Sequence, residues 1–351
     1  MKILYCVQLT GNGHITRANE LIRIFKKRAH VDVLVSGTQS SLKLKEKVKF
    51  RYKGLSFVFG KEGGIDFIKT IKIFNPIRFI KEILNCPVDK YDLIINDFEP
   101  ISAWASFLKR KEYCFALSHQ FSLLNKKTPK PGKIGFFENL ILKYYSPCKR
   151  GYGFHFKSYD NKIFTPIIKN NLRKKEIQKG SHITVYLASY SNEYLHNIFK
   201  KFYKTHWHIF SPKVKNKYQQ GNIKFYPTSY DIFEESLLSC KGVICNAGFE
   251  LPSEALFLKK KLLVIPMKHQ FEQEYNAKAL KDLGVTVLKS LNVDSIDQIK
   301  KWIKNEKIIT MQYENQNNEI VDRILLDYIK MISLVKIKKD LGKNSFRDTI
   351  L

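Results

Sequence analysis

In "LTGNGHITRANE", residues 9–20, His14 follows a small-residue turn that ends the apolar run "KILYCVQL". A turn at the carboxyl edge of a buried strand aims the imidazole into a cleft rather than a core, and histidine supplies a base poised near neutrality. Amides around Gly11 and Gly13 at a helix start suit a phosphate or another anion. Asp97 ends a second apolar run, "YDLIIND", at the same edge. There it could accept the other ring N–H of His14, fixing the tautomer and stabilising imidazolium. On position alone, a helix-start histidine with no chemistry fits equally well. The third stretch is "CNAGFELPSEALFLKKKLLVIPMKHQFEQEYNA". A strand ends at Asn246, Ala247 and Gly248 allow close approach, and the amides of a helix start at Gly248 and Phe249 face whatever anion lies there. Glu254, six residues after Gly248, puts a carboxylate where sugar hydroxyls could reach it. Lys268, His269, Gln270, Glu272 and Gln273 follow the next strand. A diphosphate at the helix start, a ribose on Glu254 and a hexose at the amide-rich loop would use all three parts.

Positioning these residues takes an alternation of strands and helices, and the hydrophobic pattern supplies it from end to end. "KILYCVQL", "VDVLVSG", "YDLIINDFEP" and "EYCFALSH" read as strands separated by helical segments such as "ITRANELIRIFKKR" and "ISAWASFLKR". Around "FHFKSYDNKIFTPIIKNNLRKKEIQKGSH" the period is lost, and a second α/β unit opens with "HITVYLAS". The expected division is 1–165, 166–311 and a C-terminal helix in 312–351 that packs back toward the first domain and frays at its basic end. A dinucleotide fingerprint fails, because Thr16 occupies its third glycine and the second strand ends without a carboxylate. No Walker loop occurs either.

The chain has 351 residues, 44% of them hydrophobic, enough for two cores. No run of about 18 apolar residues appears and the N-terminus turns polar early, so a soluble, cytoplasmic chain is expected. Six scattered cysteines without a C-x-x-C pair indicate neither a zinc site nor a disulfide framework. The 61 Lys+Arg against 32 Asp+Glu leave a net charge of +29, which attracts polyanions. Only ten are arginines and they are not clustered, which argues against nucleic acid and leaves an anionic membrane surface or simple compositional bias.

Together the motifs resemble a known family. "NAGF…SE…VIP…HQFEQ…NA…LG" is similar to the donor signature of family 1 glycosyltransferases and of the enzyme that adds N-acetylglucosamine to lipid I. "GNGHITRA", "NDFEP", "TPII" and "QFEQEYNA" resemble a prokaryotic group of glycosyltransferase-like proteins. The resemblance implies an α/β GT-B fold, two doubly wound Rossmann-like domains facing across a cleft, the first binding acceptor and the second a nucleotide sugar. It also implies that His14 deprotonates the acceptor and Asp97 orients it. The glycine-richer first loop of the lipid I enzyme and the plant donor-box tryptophan are missing.

The expected chemistry is an inverting in-line transfer from a UDP-sugar, which serves as substrate; no cofactor is called for. No Asp-x-Asp occurs, so no metal site is expected, and backbone amides with Arg17 and Lys268 would hold the leaving charge. Ser118 and His119 are candidate acceptor contacts. Helix-like "GIDFIKTIKIFNPIRFIKEIL" either packs on its own sheet or offers a basic, apolar face to a lipid-linked acceptor; a small molecule or glycan acceptor fits as well. A UDP-sugar 2-epimerase and a basic nucleic-acid-binding protein are the rival expectations.

Overall fold

The computed structural model describes residues 1–9, 12–37, 44–55, 72, 74–132, 135–178, 180–268 and 270–347. Among these residues the strands form two sheets. The first contains β1 (Lys2–Gln8), β2 (His30–Ser36), β3 (Val48–Tyr52), β4 (Leu93–Asp97), β5 (Cys114–Ser118), β6 (Arg150–Phe154) and β7 (Ile163–Phe164). Their order is β3-β2-β1-β4-β5-β6-β7, all parallel. The order reverses between β1 and β4, where Val7 pairs with Asp97. The turn after β1 and the end of β4 therefore share the crevice at the carboxyl edge, where an open α/β sheet takes its ligand.

The second sheet contains β8 (Ile183–Tyr186), β9 (Trp207–Phe210), β10 (Tyr218–Gln220), β11 (Ile223–Tyr226), β12 (Gly242–Asn246), β13 (Lys261–Ile265) and β14 (Thr286–Val287). It runs β10-β11-β9-β8-β12-β13-β14, parallel except for the β10/β11 hairpin. Here the reversal lies between β8 and β12. Both sheets are doubly wound and Rossmann-like.

Five strands escaped the sequence reading: β3, β6, β7, β10 and β14. β6, "RGYGF", carries two glycines in place of apolar residues, and packing explains both, a Cβ on Gly151 standing 2.2 Å from the Ala116 carbonyl oxygen. A Cβ on Gly153 would stand 2.6 Å from the Cβ of Ser122, so only glycine lets the helix His119–Leu123 lie on this strand. The segment expected as one helix-like unit over 64–84 also differs. The helix spans Pro76–Leu84, started by Asn75, whose side chain accepts from the Arg78 amide at 2.8 Å, with Pro76 in the first turn. Residues 64–71 and 73 of that segment lie outside the described residues.

One apolar cluster runs through both sheets, from Tyr5, Phe25 and Phe154 to Val243, Leu256 and Val264. The helix Asn317–Arg347 adds Ile320, Val321 and Ile324 to it. Its Tyr328 meets the ring of Tyr113 at 5.2 Å, and its Asp327 accepts from the Tyr152 hydroxyl at 2.8 Å. Among the described residues no helix is long and apolar enough to cross a membrane.

Candidate active site

His14 and Arg17 sit one turn apart near the start of the helix Asn12–Lys26 and so project to one side. Asp97 is the last residue of β4, and the chain turns sharply after it. Phe98 adopts φ of 55°, a left-handed conformation costly for a bulky residue. Glu99 then caps the helix Pro100–Leu108 by accepting from the amides of Ile101 and Ser102. That reversal leaves the Asp97 carboxylate facing the helix Asn12–Lys26.

The carboxylate is fully buried and held on both oxygens. Arg17 donates from Nε to Oδ2 at 2.9 Å and from Nη2 to Oδ1 at 2.7 Å, and His14 Nδ1 lies 2.8 Å from Oδ1. Burial opposes ionisation of Asp97, but Arg17 and His14 outweigh it and hold its pKa below the ordinary carboxylate range. Because Asp97 stays an anion, its partner Nδ1 must carry the proton. The contact of Arg17 Nη2 with Nδ1 at 3.1 Å is then proximity rather than a second hydrogen bond. Among the described residues Nε2 has no hydrogen-bond partner, and it is the basic nitrogen in this tautomer.

The second domain meets this cluster directly. Glu250, in the first turn of the helix Glu250–Phe257, places Oε1 3.1 Å from Arg17 Nη1. A Cβ on Gly13 would come within 2.6 Å of Glu250 Cγ, so glycine is what permits the two helix starts to approach. Phe249, whose backbone amide is the expected donor contact, turns its side chain toward the first domain. Its ring stacks on His119 with centroids 4.0 Å apart and planes at 6°. His119 is buried, with Nδ1 2.7 Å from the Phe154 carbonyl and Nε2 2.8 Å from the Asn276 amide group. Burial lowers its pKa, only partly opposed by Glu272, so the ring is neutral. Nδ1 faces the Phe154 carbonyl and Nε2 faces Asn276 Oδ1, two acceptors of which a neutral ring donates to one, and Asn276 Nδ2 has no partner among the described residues. Nδ1 is thus turned to its own domain and Nε2 to the second, and an acceptor contact at His119 stays a proposal. Ser118 is likewise buried, its hydroxyl accepting from the Phe121 amide as a helix cap.

A groove of about 780 Å³ opens at the reversal between β8 and β12, lined by Tyr186, Ser189, Asn246, Gly248, Gln270 and Gln273 among others. A Cβ on Gly248 would meet nothing within 4 Å, so its Cα borders open space. A hollow of about 430 Å³ shares Ser189, Ser191 and Met267 with the groove and adds Tyr190, Tyr194 and the exposed Lys268. Gln270 caps the helix Phe271–Asp282, and Gln273 Oε1 accepts from the Met267 amide, so the loop after β13 is braced from within. Glu272 instead accepts from Gln120 of the first domain. Glu254 is buried and paired with Lys169 at 2.8 Å. Gly11 and His269 lie outside the described residues. Among the described residues no cluster of His, Cys, Asp and Glu could hold a metal ion.

A family model described as glycosyl transferase family 1 matches residues 1–305. The chain belongs to that family. This glycosyltransferase has the two-domain GT-B architecture, and its solved structural relatives agree. MurG from Acinetobacter baumannii is similar at TM-score 0.55 and 14% identity, over 93% of this chain and 98% of that one. A UDP-glucosyltransferase from Polygonum tinctorium capable of glucosylating indoxyl gives 0.56 and 13%, over 95% and 94%. UDP-N-acetylglucosamine 2-epimerase from Rickettsia bellii gives 0.59 and 13%, over 95% and 98%. At such identities the likeness speaks to fold. No curated protein sequence matches the transferase.

The sequence candidates His14, Asp97, Gly13 and Arg17 converge in the glycosyltransferase, while Asn246, Gly248, Gln270 and Gln273 line the groove. Glu250 and Lys169 were missed. The one signal for Glu250 was its place in the first turn after Gly248, where an acidic residue ordinarily reads as a helix-dipole partner.

Proposed function

We propose that this transferase moves a hexose from a UDP-sugar to an acceptor hydroxyl with inversion and without a metal. One observation carries the reading: Arg17, one turn from His14, meets Glu250 of the helix start after Gly248 at 3.1 Å, which brings the two switch-point edges together. The acceptor oxygen attacks the anomeric carbon while its proton passes to His14 Nε2. The bond from that carbon to the diphosphate breaks, and both electrons leave with the diphosphate. Asp97 holds Nδ1–H and stabilises imidazolium. Amides at Gly248 and Phe249, with those at Gly11 and Gly13, and the cations of Arg17 and Lys268 balance the departing charge. Asn246, His269, Gln270, Glu272 and Gln273 are proposed around the sugar. Glu254 is proposed to hold the ribose while shared with Lys169. A flat base fits beside the Tyr190 and Tyr194 rings, stacked 5.5 Å apart.

For the acceptor we favour a lipid-linked molecule at an anionic membrane surface on the cytoplasmic side. The helix Pro76–Leu84 exposes Ile77, Ile80 and Leu84 by 80%, 56% and 61%, with Lys81 beside them, and neighbouring Phe107 and Leu108 are exposed as well. Basic charge around an exposed apolar face is the complement of such a surface. A sugar-processing reading without acceptor keeps one supporting observation, the fold likeness to the 2-epimerase.

The test is a melting-temperature screen against UDP-sugars, followed by transfer assays in excess chelator. Stabilisation by UDP-sugars with activity retained in chelator is expected. Loss of activity in chelator with rescue by manganese would contradict the metal-free step, and C2 epimerisation of UDP-N-acetylglucosamine alone would favour the rival.

A further inference from the structure

Glu250 stands where a transferase has least use for a negative charge. Its carboxylate lies between two helix starts, that of Asn12–Lys26 and that of Glu250–Phe257, both of which favour an anion. It touches Arg17 Nη1 at 3.1 Å, and its Cγ lies so close to Gly13 that any side chain there would collide. The helix start it belongs to has no side-chain cap. An internal anion from the second domain thus already sits in the anion-favouring gap between the two helix starts.

We infer that Glu250 is a positioning residue that exchanges roles when donor enters: as a carboxylate it holds Arg17 and closes the empty cleft, and as a neutral acid it donates a hydrogen bond to the diphosphate. The proton comes from solvent on donor binding, and Arg17 is released from Glu250 toward the phosphate oxygens while keeping its bonds to Asp97. The inference rests on the donor reading above.

The charges around Glu250 make this exchange accessible near neutrality. Burial pushes its pKa up to about 7 against the pull of Arg17, with Glu254 from its own helix and Asp97 from the end of β4 adding to the push, and Lys169 from the segment after β7 opposing it. His14 faces the same cluster through Asp97 and Arg17. A diphosphate brings further negative charge into contact and must raise that pKa again. Between the two values the free enzyme lacks the proton and the complex carries it, so uptake occurs above about pH 7. Below that, the free enzyme is already protonated and the linkage vanishes. Glu250→Gln fixes the neutral state while keeping shape and a donor.

The experiment is calorimetric titration with UDP from pH 6 to 9, in buffers of differing ionisation enthalpy, on the wild type and E250Q. The wild type should take up close to one proton per UDP at pH 8, and its affinity should fall by up to tenfold per pH unit above that. E250Q should take up none beyond what UDP itself contributes, bind UDP at least tenfold tighter than wild type at pH 8.5, and agree with it within about threefold at pH 6. In turnover at pH 8.5, E250Q should lower the donor KM with little change in kcat, which a merely structural contact would not do. UDP binding with equal proton exchange in both proteins, or proton release by the wild type alone, would overturn the inference and leave the donor reading standing. No UDP binding by either protein would overturn both.

Discussion

At the scale of single residues, the chemistry turns on how Asp97 divides its charge. An aspartate serving histidine alone would stabilise imidazolium with its full charge, whereas here Arg17 grips both oxygens and already neutralises much of it. The benefit left for His14 is orientation first and charge second. His14→Ala should therefore lower turnover by about 10²–10⁴-fold. UDP affinity, centred on the other domain, should stay the same. Asp97→Asn should also slow turnover, through the lost tautomer control, and the double variant should lose far less than the two losses multiplied. Normal turnover by a folded His14→Ala protein would place the base elsewhere. The places of His14 and Asp97 at one sheet edge were legible because Asp97 ends an apolar run and His14 opens the helix that follows another. The contacts of Arg17 and His119 were not, because their partners lie far along the chain: Glu250 is 233 residues from Arg17 and Asn276 is 157 from His119. Side-chain type and local period carry no information about such distances.

Among the elements, strands with continuous apolar runs were readable, and those shaped by neighbours were not. β6 accepts glycine because a helix lies on it, and β3 alternates half-buried and exposed residues at the sheet margin. The helix Pro76–Leu84 shows the same limit from the other side. Its sequence is apolar enough for a core, yet Ile83 is its one buried residue, and Ile77, Ile80 and Leu84 face outward. Three exposed aliphatic residues at helical spacing beside Lys81 need a partner more than a fold does. Replacing all three with Ser should leave the melting temperature unchanged or slightly raised, since little burial is lost. It should abolish co-sedimentation with vesicles containing anionic lipid, and binding of the wild type should weaken as salt rises. Equal sedimentation of variant and wild type would remove this helix from the membrane reading.

Across the whole molecule, the two domains are joined by more than a hinge. His119 and Gln120 from the first domain engage Phe249, Asn276 and Glu272 of the second, Arg17 reaches Glu250, and the helix Asn317–Arg347 returns to the first domain while its chain leaves the second. A continuous apolar cluster lies beneath these contacts, so the domains should unfold as one cooperative unit. A nucleotide held by the second domain should then stabilise the first. UDP at a hundred times its dissociation constant adds about 2.7 kcal/mol, and calorimetry should show one transition moving as a whole. His119→Ala strips the ring that Phe249 stacks on and leaves Asn276 without its partner. That variant should split the trace into two transitions, only the later domain responding to UDP. Acid should weaken the same joint in the wild type: the pKa of His119 is lowered in the fold, so its contribution is present above the unfolded value of about 6.5 and is lost as pH falls through the folded one. If UDP shifted just one of two transitions in the wild type at neutral pH, the domains would be thermodynamically independent, and closure would have to come from the substrates alone.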